Sequence, residues 1–488
     1  MKQFLSLLSC FLFLVSCADE QEVSLIHSEN SENVSMFVVD KLKTDNAISI
    51  KDAEIVVKSF LAESLTKNLS RADVALGDYN VEIINDNNGE PIMYVFNMDQ
   101  GGFIVIGSSR DYFPILAFSD EGSFDISKNS PLSVWLEEIK AELLMNTSSN
   151  DSIKLIANAI WNHYEQNIEL NTDQSATRSP SSSELACWNR CDYYSMNYGD
   201  GWEFLPLSQA GNVFDSNGYQ DEYSRLCYSA EFNHSALNSS VFGYKIGLTD
   251  FVIGPLIATE WHQRSPYNDL CDNCPAGCGA IAVAQLLNYY KYPSSFQLNN
   301  YTFTWNDIAT SNQAKAALVR LAGLFTNTHY FDNFSYVIPN DLKYGLEGFL
   351  YNVTKQDHDY NSVKRELREA QRPVIMLGHK SYIPLPEPLC YMGDSHYWIC
   401  DGLHVIKYDL NYFTEWQPYG NGSFVNGAGS FDNPNKLNIS DVSYFHMNWG
   451  NGHSSNNGWF IGDWLHFVNG NDDVNYQYSR QDYYIQHN

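Results

Sequence analysis

The sequence predicts an α+β protein in which a small α+β unit precedes a larger one. Three observations carry this. In the C-terminal half, helical patterns at residues 279–290, 313–325, 338–350 and 362–370 come before strand-like runs at 374–377, 397–400 and 444–448, the segregated order of an α+β fold. Residues 49–118 hold a separate helix-then-hairpin pattern. Between the two lies a polar, Ser/Thr-rich stretch at 171–183, punctuated by Pro180, with the composition of an exposed and protease-accessible linker. The 488 residues suggest two or three domains, with ample material for a core.

The N-terminus reads as a targeting segment. Met1-Lys2 is a short basic start, and the apolar run from Phe4 to Val15 is too short to span a bilayer. It ends in Leu14-Val15-Ser16-Cys17, which resembles a bacterial lipobox. Residues 1–16 would be the signal peptide. Cleavage before Cys17 would leave that cysteine diacylated, and two acyl chains suffice for a stable lipid anchor. Ala18-Asp19-Glu20 resembles the acidic export signal of Bacteroidetes surface lipoproteins, which implies the bacterial envelope, at the outer membrane or cell surface. The alternative is an ordinary secretory signal with an incidental cysteine.

Residues 17–170 form the first unit. Residues 49–64 place Ile50, Ala53, Val56, Val57, Phe60 and Leu61 on one helical face. Strand runs at 91–97 and 102–106 flank Met98-Asp99-Gln100-Gly101, a hairpin; residues 112–118 add a strand and 132–144 a helix. The linker is drawn at 171–186 and the second unit at 187–488. Residues 187–250 hold three cysteines and many aromatics but no motif.

Chemistry concentrates in the second unit. Cys274-Pro275-Ala276-Gly277-Cys278 delivers Cys278 to the first turn of an Ala-rich, Pro-free apolar helix. Unpaired N–H groups and the helix dipole there favour an anion, and such a thiol's pKa falls from about 8.5 toward roughly 3.5–7.5. The plainer alternative is a small buried cysteine packing a helix start. A thiolate nucleophile needs a base brought close by folding. Among thirteen histidines His396 stands out, in Ser395-His396-Tyr397-Trp398-Ile399-Cys400-Asp401-Gly402: polar residues precede it, and a short strand ending in an Asp-Gly turn follows. Helix-borne cysteine facing strand-borne histidine is the papain-like arrangement. In Phe445-His446-Met447-Asn448-Trp449-Gly450 the Asn448 side-chain oxygen would orient the imidazole, with Trp449 shielding that bond from water; His446 reads as structural. Gln263, fifteen residues before Cys278, would join the Cys278 N–H as an oxyanion donor.

These residues resemble the streptopain-type cysteine peptidases and their Bacteroidetes relatives. The match is ordered: Trp261-His262-Gln263 with Pro266-Tyr267-Asn268, Ala276-Gly277-Cys278 with Ala284-Gln285, Tyr360-Asn361 through Arg372-Pro373-Val374-Ile375, His396 with Asp401-Gly402, and Phe445-His446-Met447-Asn448-Trp449-Gly450. It covers roughly residues 250–465. The resemblance implies a papain-like fold, with Cys278 as nucleophile, His396 as general base and acid, Gln263 as oxyanion donor, and Asn448-Trp449 as the histidine-orienting pair, Trp449 also bordering the substrate. Where the family continues Trp-Gly-Trp-Gly-Gly, this chain runs Trp449-Gly450-Asn451-Gly452-His453. Upstream, Tyr94 to Asn97, Gly101 to Val105 and Pro114 to Ser119 resemble the streptopain propeptide and related inhibitors, which implies an inhibitory prodomain. The resemblance implies a zymogen that becomes a cysteine endopeptidase acting on proteins or peptides, with an apolar side chain one position upstream of the scissile residue. By the same resemblance its own propeptide would be an intramolecular inhibitor, and no cofactor is implied.

Composition bounds the alternatives. Acidic residues outnumber basic ones 58 to 29, so the chain is unsuited to nucleic acid, whose phosphates are bound by Lys and Arg. Beyond Cys10 and Cys17 there are eight cysteines, and a free Cys278 leaves an odd seven. Cys187 with Cys191, or Cys271 with Cys274, could pair. The Cys271, Cys274 and Cys278 cluster also invites a zinc reading, but no second ligand pair follows. Two rival functions remain: an inactive homologue binding protein or glycan at the cell surface, and a papain-like acyltransferase using the same triad.

Overall fold

The computed structural model describes residues 24–27, 46–65, 77–126, 132–146, 151–165, 182–198, 202–216, 219–233, 235–379, 395–418, 423–452, 456–462 and 480–487. The signal segment, Cys17, residues 166–170 of the first unit and residues 171–181 of the linker lie outside them. The first unit comprises β1 (Ser24–His27), α1 (Ile50–Leu65), β2 (Tyr79–Asn85), β3 (Pro91–Met98), β4 (Phe103–Gly107), β5 (Ile115–Ser119), α2 (Ser133–Asn146) and α3 (Asp151–Glu165). Ser49 starts α1 as its sequence suggests: its hydroxyl takes the Asp52 N–H while the Asp52 carboxylate takes the Ser49 N–H.

A connecting region follows: α4 (Ser182–Tyr198), β6 (Glu203–Pro206), α5 (Gly211–Ser216), α6 (Gln220–Phe232) and β7 (Val241–Ile253). Helix α4 takes in residues 182–186, the end of the span drawn as linker. Then come α7 (Cys278–Tyr290), β8 (Ser295–Leu298), β9 (Tyr301–Thr304), α8 (Trp305–Thr310), α9 (Asn312–Phe325), β10 (His329–Tyr330), β11 (Ser335–Tyr336), α10 (Pro339–Gly348), β12 (Tyr351–Asp357) and α11 (Tyr360–Arg365). The chain closes with β13 (Val374–His379), β14 (Ser395–Trp416), β15 (Val425–Asn426), β16 (Asn435–Asn448), β17 (Gly458–Ile461) and β18 (Gln481–His487). The α+β expectation holds, and the four helices read from the second unit are α7, α9, α10 and α11 with its continuation.

One reading is corrected. Asp401-Gly402 is no turn: β14 runs on for 22 residues, and the pair sits at a register shift against β16 between Cys400 and Gly402. The Asp401 side chain turns inward to hold neighbouring loops, so a turn-like dipeptide serves as an irregularity inside a strand. Beyond it, β14 pairs with β7 over thirteen residues, which fastens the motif-free region 241–253 to the second unit.

Strand alternation sorts the core. On β13 and β14, Ile375, Leu377, Tyr397 and Ile399 face α7 and α9, while Val374, Met376, Trp398 and Cys400 face the first unit. The two units also share one sheet: Phe118 and Ala117 of β5 pair with Trp459 and Phe460 of β17. Among the described residues seven cysteines are free, the Cys187/Cys191 and Cys271/Cys274 pairs included, and no cluster suits a metal.

Candidate active site

Cys278 opens α7 because Gly277 allows it: Gly277 has φ +90°, a conformation that side-chain-bearing residues rarely adopt. Cys278 is partly exposed, and its Sγ accepts the Tyr397 N–H at 3.4 Å. The thiol therefore lies against β14, at the residue after His396. Burial pushes its pKa above the ordinary thiol range, against the opposing pull of the Tyr397 and Gly279 N–H groups. Among the described residues no hydrogen bond joins it to His396.

His396 is buried, with its ring stacked parallel to Trp398 at 6.4 Å. Its Nε2 is 2.8 Å from the Trp449 carbonyl oxygen, an acceptor only. The ring proton therefore sits on Nε2, and Nδ1 keeps the lone pair a base would use. Burial lowers the His396 pKa to about 4, opposed by that carbonyl bond. Both shifts favour the uncharged forms of thiol and imidazole in this arrangement.

Here the structure departs from the expected division of labour. The Asn448 amide does not hold the imidazole: its Nδ2 donates to the Thr259 carbonyl at 2.7 Å, and its Oδ1 accepts the Gly450 N–H at 3.2 Å. The orienting group is the backbone carbonyl one residue on. The Trp449 side chain, read as bordering substrate, is fully buried against Trp398 and Phe460. It packs beneath the histidine rather than lining an open cleft.

Gln263 is partly exposed, and among the described residues no hydrogen bond engages its side-chain amide. The Ala276 N–H donates to the Gln263 carbonyl at 3.0 Å, which ties its loop to the cysteine turn. Two residues given no role in the sequence reading complete the frame. Buried Gln285 accepts the Trp261 N–H at 2.9 Å and donates to Asn448 Oδ1 at 3.4 Å, linking the Gln263 loop to the Asn448 strand. A glutamine inside an otherwise apolar helix was the available signal, since a fully buried polar side chain must find partners. Asp401 accepts the Ile257 N–H at 2.8 Å and meets His446 Nδ1 at 2.6 Å, which gives His446 the structural place expected of it.

The first unit covers this assembly. Asn456 takes the Asp125 N–H on its side chain at 2.6 Å and donates its own N–H to the Ser123 carbonyl at 2.9 Å. Asn456, six residues after Gly450, thus carries one contact between the units. Trp135 of α2 packs on Phe460, and Glu138 pairs with Arg480 at 2.6 Å, both side chains buried. A cavity of about 800 Å³ between the units is lined by Phe118, His404, His446 and Asn448, but by neither Cys278 nor His396.

Residues 261–460 match the Peptidase C10 family, and residues 45–143 match the Spi protease inhibitor family. Among solved structures, the chain is similar to a fragment of prointerpain A from Prevotella intermedia carrying a cysteine-to-alanine mutation. The identity is 16%, over 83% of this chain and 98% of that one, with a TM-score of 0.42. No curated protein matches the chain.

Proposed function

We propose that this chain, which joins a Spi protease inhibitor domain to a Peptidase C10 domain of the streptopain type, is a surface-anchored zymogen of a cysteine endopeptidase. The observation that carries the reading is the meeting of Cys278 Sγ with the first residues of β14, beside a histidine whose proton is set by the Trp449 carbonyl. In the active form Cys278 attacks the scissile carbonyl as thiolate, and His396 protonates the leaving amine. His396 then activates the water that hydrolyses the acyl-enzyme. Gln263, through its side-chain amide, and the Cys278 N–H receive the oxyanion. The test is hydrolysis of a protein substrate by the chain before and after removal of residues up to the linker, with a primary amine present. Peptide cleavage that appears only after processing supports the reading. Amine incorporation without cleavage would select the acyltransferase, and neither would select the binding protein.

The anchor rests on Leu14-Val15-Ser16-Cys17. Cys17→Ser is expected to move the protein from the membrane fraction to the soluble one by removing the acylation site. Unchanged fractionation would remove the anchor from the proposal. No helix among the described residues is long and apolar enough to cross a membrane.

A further inference from the structure

Arg480 lies on the same sheet face as His396, the face against which α2 of the first unit packs. Strand β13 pairs with β14 so that Gly378 lies opposite His396, and with β18 so that Leu377 lies opposite Gln481. Continuing that register by one residue sets Arg480 beside Gly378. His396, Gly378 and Arg480 then form one row across three strands, all on the face of Trp398 and Met376. With strands spaced at about 4.8 Å, the row puts the histidine and arginine backbones about 10 Å apart.

The middle of the row is empty of side chain, and the first unit fills the space. A Cβ on Gly378 would lie 2.6 Å from Val134 Cγ1 and 2.9 Å from the Trp398 ring. One helical turn further along α2, Glu138 reaches Arg480: its Oε2 accepts from Nη1 at 2.6 Å. The guanidinium is held ready for a carboxylate. Its carbon lies 5.2 Å from the Tyr360 ring centre and 5.3 Å from that of Trp398. Nη1 also donates to the Tyr360 hydroxyl at 3.1 Å, and Nη2 approaches Met376 Sδ at 3.8 Å. Among the described residues the buried Nε has no hydrogen-bond partner. The other nearby carboxylate, Asp482, is already engaged by His358 Nδ1, the Asp359 N–H and the Tyr484 hydroxyl. Lifting α2 away removes the one carboxylate bonded to a buried cation, and a cation so placed needs an anion or water in its stead.

We propose that Arg480 is a carboxylate-binding subsite of the cleft, filled by Glu138 of the prodomain in the latent chain and by an acidic side chain of the bound peptide in the active enzyme. This deepens the peptidase reading and rests on it for the substrate half; the carboxylate site itself stands without it. The planar guanidinium suits a carboxylate, and a substrate lacking one would leave it unpaired, so the site discriminates by charge.

Two experiments test it. Processed parent, Arg480→Gln and Arg480→Lys are offered peptides with Asp or Asn at each position from four residues before the scissile bond to two after. One position is expected to favour Asp over Asn by roughly 10- to 100-fold in kcat/KM in the parent. That ratio should fall to about one in Arg480→Gln and survive in part in Arg480→Lys. An equal ratio in Arg480→Gln, or no position favouring Asp, overturns the proposal. The second experiment needs no catalysis. Full-length Glu138→Ala is melted with acetate or with acetamide, beside Glu138→Gln, which keeps the volume. Acetate is expected to restore the melting temperature of Glu138→Ala alone, and acetamide to restore neither variant. Should the processed parent cleave nothing, the peptidase reading fails and the acetate arm decides: rescue keeps the carboxylate site, and no rescue removes it.

Discussion

Cys278→Ala is expected to abolish peptide hydrolysis, by on the order of 10⁴-fold or more, while the melting temperature of the full chain stays within a few degrees. The rate loss follows from covalent catalysis: without Sγ there is no acyl-enzyme, and the remaining machinery has no bond to make. The stability expectation follows from position. Cys278 is partly exposed at the first residue of α7, and Ala is the best helix former, so little packing and no helical propensity is lost. The hydrogen bond forfeited is the long one from the Tyr397 N–H at 3.4 Å, to a weak sulfur acceptor. An epoxide directed at thiols should accordingly label processed parent at Cys278 and leave the variant unlabelled there. Appreciable hydrolysis by Cys278→Ala would mean that the nucleophile lies elsewhere.

Much of this site was legible because its signals are local. The Pro275 to Gly277 turn and the apolar run after it announce α7, and the polar-to-apolar change at His396 announces the start of β14. What escaped depends on backbone atoms and on distant pairings. The group holding His396 is the Trp449 carbonyl, and every residue has a carbonyl, so no side chain betrays it. Asn448, next to it, carries the visible signal but spends its amide on Thr259 and Gly450. Asp401-Gly402 has turn composition, yet the side-chain bonds to Ile257 and His446 turn it into an irregularity within a strand. The fused sheet was equally out of reach, because Phe118 and Trp459 pair across more than 300 residues.

That fused sheet changes what latency requires. A linker at 171–183 suggests that one cut frees the inhibitor, because tethering holds it at an effective concentration on the order of millimolar and cutting removes that advantage. The structure gives the inhibitor a stronger hold. Trp135 is buried against Phe460 at 5.0 Å, Tyr164 bonds Tyr408 hydroxyl to hydroxyl at 3.0 Å, the Tyr444 hydroxyl donates to the Ile115 carbonyl, and β5 extends the catalytic sheet. A chain cut only in the linker is therefore expected to elute as one particle and stay silent toward substrate. Trp135→Ala should change this. Truncating a buried Trp costs about 3–5 kcal/mol, roughly 10²- to 10⁴-fold in the affinity of the cut halves. The cut variant should separate on gel filtration and gain activity, provided the intact variant still melts cooperatively. Acid should weaken the latent fold as well. His396, lowered to about 4 in the latent chain against an ordinary 6.5, is held neutral there. Between those values the unfolded chain takes up a proton that the latent form refuses. The latent form thus has its full stability above pH 6.5 and loses about 3 kcal/mol as pH falls to 4. His396→Asn, which removes the titrating ring, should show a shallower fall in melting temperature over that window. A parent chain that parts and becomes active on linker cleavage alone, at neutral pH, would show that the shared core does not hold the inhibitor in place.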